Sequence, residues 1–297
     1  MNHDFIQNAL GRTENGQKWL DSIPELIAKY EEKWQIKVGE PFALSYNYVA
    51  PAVDSNGTRC VIKIGTPEDA EFRTEIAALQ VFNGRGMVAL LQNSEVDPVI
   101  LLEHVVPGKM LADVTDDADA TKILAGVIKI LRRPIHDNSI FPTLTDLALA
   151  FDRYHNSGKD QIPSDLVQTA KHLFDHLINT SSELVLCHGD LHHDNILTSD
   201  RAGWLTIDPK GIAAEPEYEV AAMIRNPHQR LSQIHDLKPL LESRIAILAA
   251  ELHHDPQRLL QWCFAQTVLS AIWSIEDGAN EPEHEIRVAQ ALQKMLS

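Results

Sequence analysis

The order of strand and helix patterns along the chain limits its fold more than any other feature. Roughly the first hundred of its 297 residues contain short apolar and β-branched runs separated by turn signals, whereas the rest is dominated by apolar residues at helical spacing. A run of strands followed by a run of helices predicts an α+β protein. We therefore expect a small antiparallel sheet first and a larger, mainly helical part after it.

The first part of the chain is predicted to contain a helix, a hairpin, a second helix and two short strands. Asn56-Gly57 between two β-rich runs is a strong signal for a hairpin turn. The second helix has Thr66 as its expected N-cap and should end at Phe82, because Asn83-Gly84 follows. The predicted ranges, in order, are 17–34 with a break near Pro24, 42–53, 58–64, 66–82, 88–91 and 99–103.

A short hinge is expected between the two parts. Pro107-Gly108 directly follows the last predicted strand and marks a turn. We expect residues 1–102 to form the first lobe, 103–108 the hinge and 109–297 the second lobe. The second lobe should contain helices at 116–137, 144–154, 163–179, 234–253 and 256–276, with two strands within 184–208.

Charge and composition narrow the classes of partner. The chain has 26 Lys+Arg and 42 Asp+Glu, a formal charge of −16, so it should repel nucleic acids and anionic membranes and favour a cationic small substrate. The alternative interpretation is that the acidic residues serve only to keep the protein soluble, which would explain the same net charge. Residues 1–20 lack a signal-peptide pattern, and the three cysteines are far apart, as in reduced proteins. We expect a cytoplasmic protein; the sequence leaves its oligomeric state open.

The segment 184–197, LVLCHGDLHHDNIL, carries the strongest chemical signal. It begins apolar, breaks at Gly189 and gathers polar residues, among them Asp190 and Asn195, before becoming apolar again. A second apolar run follows at 204–207 and ends in Asp208. We therefore expect two strand ends to bring Asp190, Asn195 and Asp208 together.

These residue types suit phosphoryl transfer. That reaction needs a carboxylate to orient or deprotonate the incoming hydroxyl, and oxygen ligands for Mg²⁺. Asp190 has the chemistry of the first, and Asn195 and Asp208 that of the second. Upstream, Lys63 lies in a predicted strand and could contact nucleotide phosphates, with Glu71 or Glu75 of the next helix as its partner.

A metal-dependent hydrolase is an alternative that the same segment allows. The residues that could bind zinc or iron are His188, His192, Asp190, Asp194 and Asp208. Because Gly189 interrupts any helix there, the two histidines need not share a face. The order of lysine strand, glutamate helix, hinge, His-Gly-Asp segment and strand-Asp favours phosphoryl transfer.

The segments HGDLHHDNIL at 188–197 and IDPKG at 207–211 resemble the aminoglycoside phosphotransferase family, whose members are relatives of protein kinases. The chain looks most similar to its streptomycin and hydroxyurea phosphotransferase branch, and the resemblance covers nearly the whole chain. Further similar segments are 67–68, 75–79, 84–86, 101–108, 215–219, 225–227 and 269–278. The resemblance implies a bilobal protein-kinase-like fold and transfer of the γ-phosphate of ATP, with GTP as an open alternative, to a hydroxyl of a small cationic molecule such as streptomycin.

The resemblance also implies the roles of individual residues. Asp190 is expected as the catalytic base, with Asn195 and Asp208 as Mg²⁺ ligands. Two departures from protein kinases accompany this: residues 46–53 contain no glycine, so they form no Gly-x-Gly-x-x-Gly loop, and Asp-Pro-Lys at 208–210 replaces Asp-Phe-Gly. The second departure argues against a switchable activation segment. The chain also lacks the Gly-Lys-Ser/Thr pattern of a P-loop kinase.

The nucleotide contacts implied by the resemblance lie in the first lobe and the hinge. Lys63 would hold the phosphates, and Glu75 would pair with Lys63. Glu75 is preferred to Glu71 because its Glu-x-x-Ala-Leu context matches the branch. The backbone carbonyl of Glu103 and the backbone amide of Val105 would contact adenine.

Acidic and aromatic residues downstream are candidates for the acceptor site. Carboxylates bind ammonium and guanidinium groups, and an indole ring can stack on a sugar or cation. The candidates are Glu215, Glu217, Trp273, Glu276 and Asp277. The alternative is that Glu217 and Glu219 lie at a solvated helix start and that Trp273 belongs to the core. Arg225 is expected to pair with an acid such as Glu215.

Two rival functions remain at this point. One is a kinase of another small metabolite, such as an amino alcohol or a sugar. The other is a catalytically silent nucleotide-binding protein, against which the joint presence of the lysine, the glutamate and the three loop residues argues. The residues that carry this argument are Lys63, Glu75, Asp190, Asn195 and Asp208.

Overall fold

In the computed structural model, residues 16–43, 46–67, 69–135, 140–181, 183–278 and 282–296 are described. The chain divides into two units, Met1–Val106 and Pro107–Ser297. The division therefore falls between the last strand of the first unit and Pro107-Gly108.

The described residues of the first unit form a five-stranded antiparallel sheet and two helices. The strand order is β1-β2-β3-β5-β4. The predicted hairpin is confirmed, because β2 and β3 pair across the Asn56-Gly57 turn, with Ala52 opposite Cys60. The element bounds are α1 Gly16–Trp34, β1 Ile36–Val38, β2 Tyr48–Asp54, β3 Arg59–Ile64, α2 Ala70–Phe82, β4 Leu90–Asn93 and β5 Val99–Glu103.

Helix α1 covers one face of this sheet. Its buried residues Trp19, Leu20, Ile23 and Tyr30 pack with apolar residues of the strands in one core cluster. The break expected near Pro24 is wrong, because the helix runs through that residue. Burial of the apolar face favours a continuous helix over the proline's local preference.

Helix α2 begins later than expected. Asp69, not Thr66, is its N-cap, because the Asp69 carboxylate accepts the Glu71 N–H at 2.9 Å. The predicted end is confirmed: the helix ends at Phe82, and Asn83 adopts a left-handed conformation with φ 46°.

The second unit, where the structure describes it, is mainly helical and contains two small three-stranded sheets, β10-β9-β6 and β11-β8-β7. The strands are β6 Pro107–Met110, β7 Arg133–Pro134, β8 Val185–Cys187, β9 Ile196–Ser199, β10 Gly203–Thr206 and β11 Ile212–Ala214. The α-helices are α3 Asp117–Leu131, α4 Leu144–Asn156, α5 Ser164–Asn179, α6 Ala221–Ile224, α7 His228–Ser232, α8 Lys238–Leu252, α9 Pro256–Glu276 and α10 Glu283–Leu296.

Helix α9 forms the centre of the second unit and packs against α5 and α10. Its predicted bounds are confirmed, and it is buried along most of its length. Helix α10 was not predicted, and the interruption at 184–208 contains three strands instead of two. In the part of the chain that the structure describes, no helix combines the length and apolar character needed to cross a membrane.

Candidate active site

Lys63 and Glu75 form a buried ion pair inside the first unit. Strand β3 carries Lys63 and helix α2 carries Glu75, and the Lys63 ammonium donates to both carboxylate oxygens at 2.7 Å. Each residue is only 5% exposed. Glu71, the alternative partner, lies exposed in the first turn of α2. The pair holds the ammonium in one place, as a phosphate-binding lysine requires.

The residues expected to contact adenine lie at the end of β5. The Glu103 N–H donates to the Ala89 carbonyl at 2.9 Å, and the Glu103 carboxylate accepts the Ala89 N–H at 3.1 Å. Val105 is buried just beyond the strand. These contacts fix the backbone at Glu103, while the adenine contacts themselves stay a prediction.

In the second unit, backbone hydrogen bonds connect the segment around Asp190 with the segment around Asp208. Strand β8 ends at Cys187, and β11 pairs with it. The Lys210 N–H donates to the His188 carbonyl at 2.7 Å, and the Ile207 N–H donates to the Asn195 carbonyl at 3.0 Å. Two strand ends therefore meet here, as the sequence predicts.

Asp190 is half-buried and lies among polar groups of its own unit. The Arg225 guanidinium lies 3.6 Å from one carboxylate oxygen, and the His192 ring lies 3.7 Å from the other. The Asn195 side-chain amide donates to the Asp190 carbonyl at 3.0 Å, which closes the 190–195 loop on itself. This loop holds a carboxylate where it could accept a proton from a hydroxyl.

His188 has a structural role in this loop. Its Nε2 lies 2.8 Å from the Ile207 carbonyl, and its Nδ1 accepts the Asp190 N–H at 3.3 Å, so both ring nitrogens are occupied. Burial lowers the pKa of His188 to about 4, so the ring is neutral near pH 7. Among the described residues no group of three or more His, Cys, Asp or Glu side chains is arranged to hold a metal ion. His188, one of the metal ligands that the hydrolase alternative needs, has both ring nitrogens engaged within the protein.

Asn195 and Asp208 have the chemistry of magnesium ligands. The Asn195 amide nitrogen donates within the loop, which leaves its amide oxygen for a cation. Asp208 adopts a left-handed backbone conformation with φ 61° and follows the Ile207 N–H that is bonded to Asn195. An amide oxygen beside a carboxylate is a donor set that Mg²⁺ accepts.

Three of the predicted acceptor residues are already paired within the protein. Glu215 is buried and accepts two hydrogen bonds from Arg258, at 2.6 and 2.8 Å, and a third from the Trp262 indole. Glu217 lies 3.0 Å from His254, and the Glu276 carboxylate accepts from Arg153 at 2.8 and 3.0 Å. Contacts within the protein thus satisfy the buried Glu215 carboxylate, so its burial requires no bound phosphate-acceptor molecule.

Other expectations for this region also change. Arg225 lies beside an acid, as expected, but that acid is Asp190 and not Glu215, which pairs with Arg258. Arg225 also donates to Gln266 at 2.5 Å. Glu219 is buried and not on a solvated helix start. Trp273 is half-buried on α9, and Asp277 is exposed directly after the end of that helix.

A cavity that the sequence does not reveal lies beside Arg225. It has a volume of about 570 Å³ and lies between the α6–α7 region and the facing parts of α9 and α10. Its wall includes Arg225, His228, Ser274, Glu283, His284 and Glu285. The helical spacing of Val288, Ala289 and Leu292 is the signal that could have revealed α10 and, with it, this wall.

Known proteins are similar to this chain in sequence and in fold. A family model described as aminoglycoside/hydroxyurea antibiotic resistance kinase matches residues 33–278. Streptomycin 6-kinase from Streptomyces griseus is 28% identical, with 95% of this chain and 92% of that protein covered. Hydroxyurea phosphotransferase from Kitasatospora aureofaciens is 27% identical, with coverage of 93% and 81%. Choline kinase from Streptococcus pneumoniae, a solved structure, has a TM-score of 0.65 at 14% identity, covering 92% of this chain and 98% of that one.

The fold and the relatives define a protein-kinase-like enzyme that phosphorylates small molecules. Within that class, the chain belongs to the aminoglycoside/hydroxyurea antibiotic resistance kinase family, because the family model matches most of its length. The fold, family and kinase activity expected from the sequence are thereby confirmed.

Proposed function

We propose that this enzyme transfers the γ-phosphate of ATP to a hydroxyl of a small cationic molecule, with streptomycin as the best candidate. The observation that carries the proposal is the 187–211 segment, in which the Asn195 side-chain amide donates to the Asp190 carbonyl and the Ile207 N–H, directly before Asp208, donates to the Asn195 carbonyl. Similarity to a streptomycin 6-kinase over nearly the whole chain supports the choice of acceptor.

In this proposal Asp190 orients the acceptor hydroxyl and takes its proton as the bond to phosphorus forms. His192 and Arg225, both within 4 Å of the carboxylate, stabilise its charge and limit its rotation. His188 stays neutral and keeps the loop attached to the strand that leads to Asp208.

The nucleotide is proposed to bind through the first unit. Lys63, fixed by Glu75, contacts the phosphates, and the backbone of Glu103 and Val105 contacts the base. Because the base contacts run through the backbone, GTP is a second donor to test. Mg²⁺, held by Asn195 and Asp208, would neutralise phosphate charge during transfer.

We propose that the cavity beside Arg225 holds the part of the acceptor away from the reacting hydroxyl. Glu283 and Glu285 supply carboxylates to this wall, and Trp273 and Asp277 lie at the nearby end of α9. The wall also holds two cations, Arg225 and Arg287. Arg225 faces the Asp190 carboxylate, so Glu283 and Glu285 are the groups that we propose attract an ammonium or guanidinium of the acceptor.

The direct test is incubation of the purified protein with Mg·ATP and streptomycin, followed by ADP release and the mass of the product. Hydroxyurea is the second candidate, because a hydroxyurea phosphotransferase matches nearly as well, and amino alcohols complete the panel. We expect ADP together with streptomycin that carries one added phosphoryl group. Absence of turnover with every acceptor, despite ATP binding, would contradict the proposal.

A further inference from the structure

Arg244 is a fully buried arginine on α8 that binds both a carboxylate and a turn of backbone. Its Nε and Nη2 donate to the two carboxylate oxygens of Asp117, at 2.9 and 2.6 Å. Its Nη1 donates to the carbonyls of Met223, Ile224 and Asn226, at 3.0, 3.2 and 2.7 Å. One planar guanidinium therefore connects the start of α3 with the end of α6.

The carbonyls at the end of α6 depend on donors from outside that helix. A helix leaves its last four carbonyls without partners of its own, and α6 has only four residues. Pro227 follows and has no N–H to donate. Arg244 supplies donors to three carbonyls of residues 223–226, and His284 of α10 donates to the fourth, that of Arg225, at 2.6 Å. Side chains of two distant helices thus fix this turn.

The turn formed by residues 223–226 carries two side chains of the proposed acceptor site. Arg225 directs one guanidinium nitrogen toward Asp190, at 3.6 Å, while Gln266 accepts from another at 2.5 Å. Asn226 lines the cavity beside Arg225. A shift of this turn therefore moves a neighbour of the proposed base and part of the cavity wall together.

The carboxylate that holds Arg244 also faces a second arginine. The Nη1 of Arg230 lies 3.7 Å from Asp117, and its Nη2 donates to two carbonyls within residues 112–114, at 2.9 and 2.8 Å. The 3₁₀ turn at this segment packs against the loop that follows Asp190. The same carboxylate thus anchors both pieces of backbone that lie beside the proposed base.

We propose that Arg244 is a positioning residue for phosphoryl transfer: it fixes the turn that places Arg225 against Asp190. The same turn places Asn226 in the cavity wall, so the surroundings of the base and the shape of the acceptor site depend on one guanidinium. This rests on the proposed function, in which Asp190 is the base. Misplacement of a reacting group by about 1 Å costs on the order of 10²-fold in rate. The nucleotide contacts proposed for the first unit involve no residue of this turn.

The test compares Arg244→Lys with the control Arg258→Lys. Both substitutions keep the charge but replace a guanidinium that binds a carboxylate through two nitrogens, Asp117 in the first case and Glu215 in the second. Both variants should therefore melt below the wild type. Only in Arg244→Lys do we expect kcat/KM for streptomycin to fall, by about 10- to 100-fold, with the KM for ATP nearly unchanged. Equal kcat/KM for streptomycin in the two variants would overturn the role of Arg244.

Hydrogen exchange of the full-length protein tests the same turn without an acceptor. We expect the amides of residues 221–226 to exchange faster in Arg244→Lys than in the wild type or in Arg258→Lys, because the turn loses its donors. If Arg244→Lys does not fold, Asp117→Asn takes its place in both measurements, since it removes the charge that holds the guanidinium and keeps the size of the side chain. Unchanged exchange would overturn the proposal. Faster exchange without turnover of any acceptor by the wild type would instead refute the proposed function.

Discussion

Two buried glutamates, one in each unit, hold parts of the proposed phosphotransfer machinery in different ways. Glu75 faces the Lys63 ammonium, whereas Glu219 faces the amides of His188 and Gly189. The first contact joins two side chains of opposite charge, and the second joins a side chain to the backbone. An ion pair fixes one functional group, but a carboxylate bound to backbone amides fixes the direction of a whole turn.

The difference also predicts how each contact can be replaced. An ion pair can be exchanged for two apolar side chains without leaving a buried charge. The backbone amides of His188 and Gly189 remain in every variant except one with proline at these positions, so they need an acceptor. The first unit should therefore stay folded when both members of the Lys63–Glu75 pair are replaced by apolar residues, although phosphate binding would then be lost.

Replacement of Glu75 alone is expected to lower the free energy of unfolding more than the other substitutions considered below. Glu75→Leu removes the two carboxylate oxygens that accept hydrogen bonds from the buried Lys63 ammonium, which should lower the free energy of unfolding by about 3–5 kcal/mol. The double variant Lys63→Met/Glu75→Leu should recover most of this stability, while ATP affinity stays low. Urea unfolding and nucleotide titration measure the two quantities. A double variant as unstable as the single one would show that the pair does not act as a unit.

Arg258→Met tests a second ion pair of a buried glutamate, that of Glu215 in the second unit. It removes two charge-assisted hydrogen bonds from Glu215, and we expect a loss of about 1.5–3 kcal/mol in the free energy of unfolding. The matched control is Arg132→Met, whose exposed pair with Glu183 should contribute less than about 1 kcal/mol. Equal losses in the two variants would contradict the structural role given to Glu215.

The smallest expected effect concerns the acceptor cavity. Glu285→Gln removes one carboxylate from its wall, and we expect the KM for streptomycin to rise by about two- to fivefold with little change in kcat. Added salt should reduce the difference, because it screens exposed charges. Glu242→Gln, an exposed glutamate on α8, serves as the control. An equal change in the KM for streptomycin in both variants would indicate that the acceptor does not bind in this cavity.

Short sequence signals were sufficient to predict the strands and helices whose formation is determined by residues close together in the chain. The Asn56-Gly57 turn specifies its hairpin, and helix α9 runs over the predicted residues 256–276. The pairing of Lys63 with Glu75 follows from a strand and the helix after it, so it also involves residues close in sequence.

Contacts between distant residues could not be predicted from the sequence. Glu215 is paired 43 residues away with Arg258, and Arg225 is bound by Gln266 and not by Glu215. The carboxylate of Glu219 contacts backbone groups 30 and 31 residues away, which leave no trace in side-chain patterns. Helix α10 and the cavity wall it supplies are not among the predicted elements, although Val288, Ala289 and Leu292 have the apolar spacing of a helix.

The measurement that tests the central claim most directly is single-turnover phosphoryl transfer by the wild type and by Asp190→Asn, with nucleotide affinity measured in parallel. Asp200→Asn, in the exposed turn between β9 and β10, is the control. We predict that Asp190→Asn binds Mg·ATP like the wild type but transfers phosphate to streptomycin about 10²–10⁴-fold more slowly. Transfer at the wild-type rate in Asp190→Asn would contradict the assignment of Asp190 as the base.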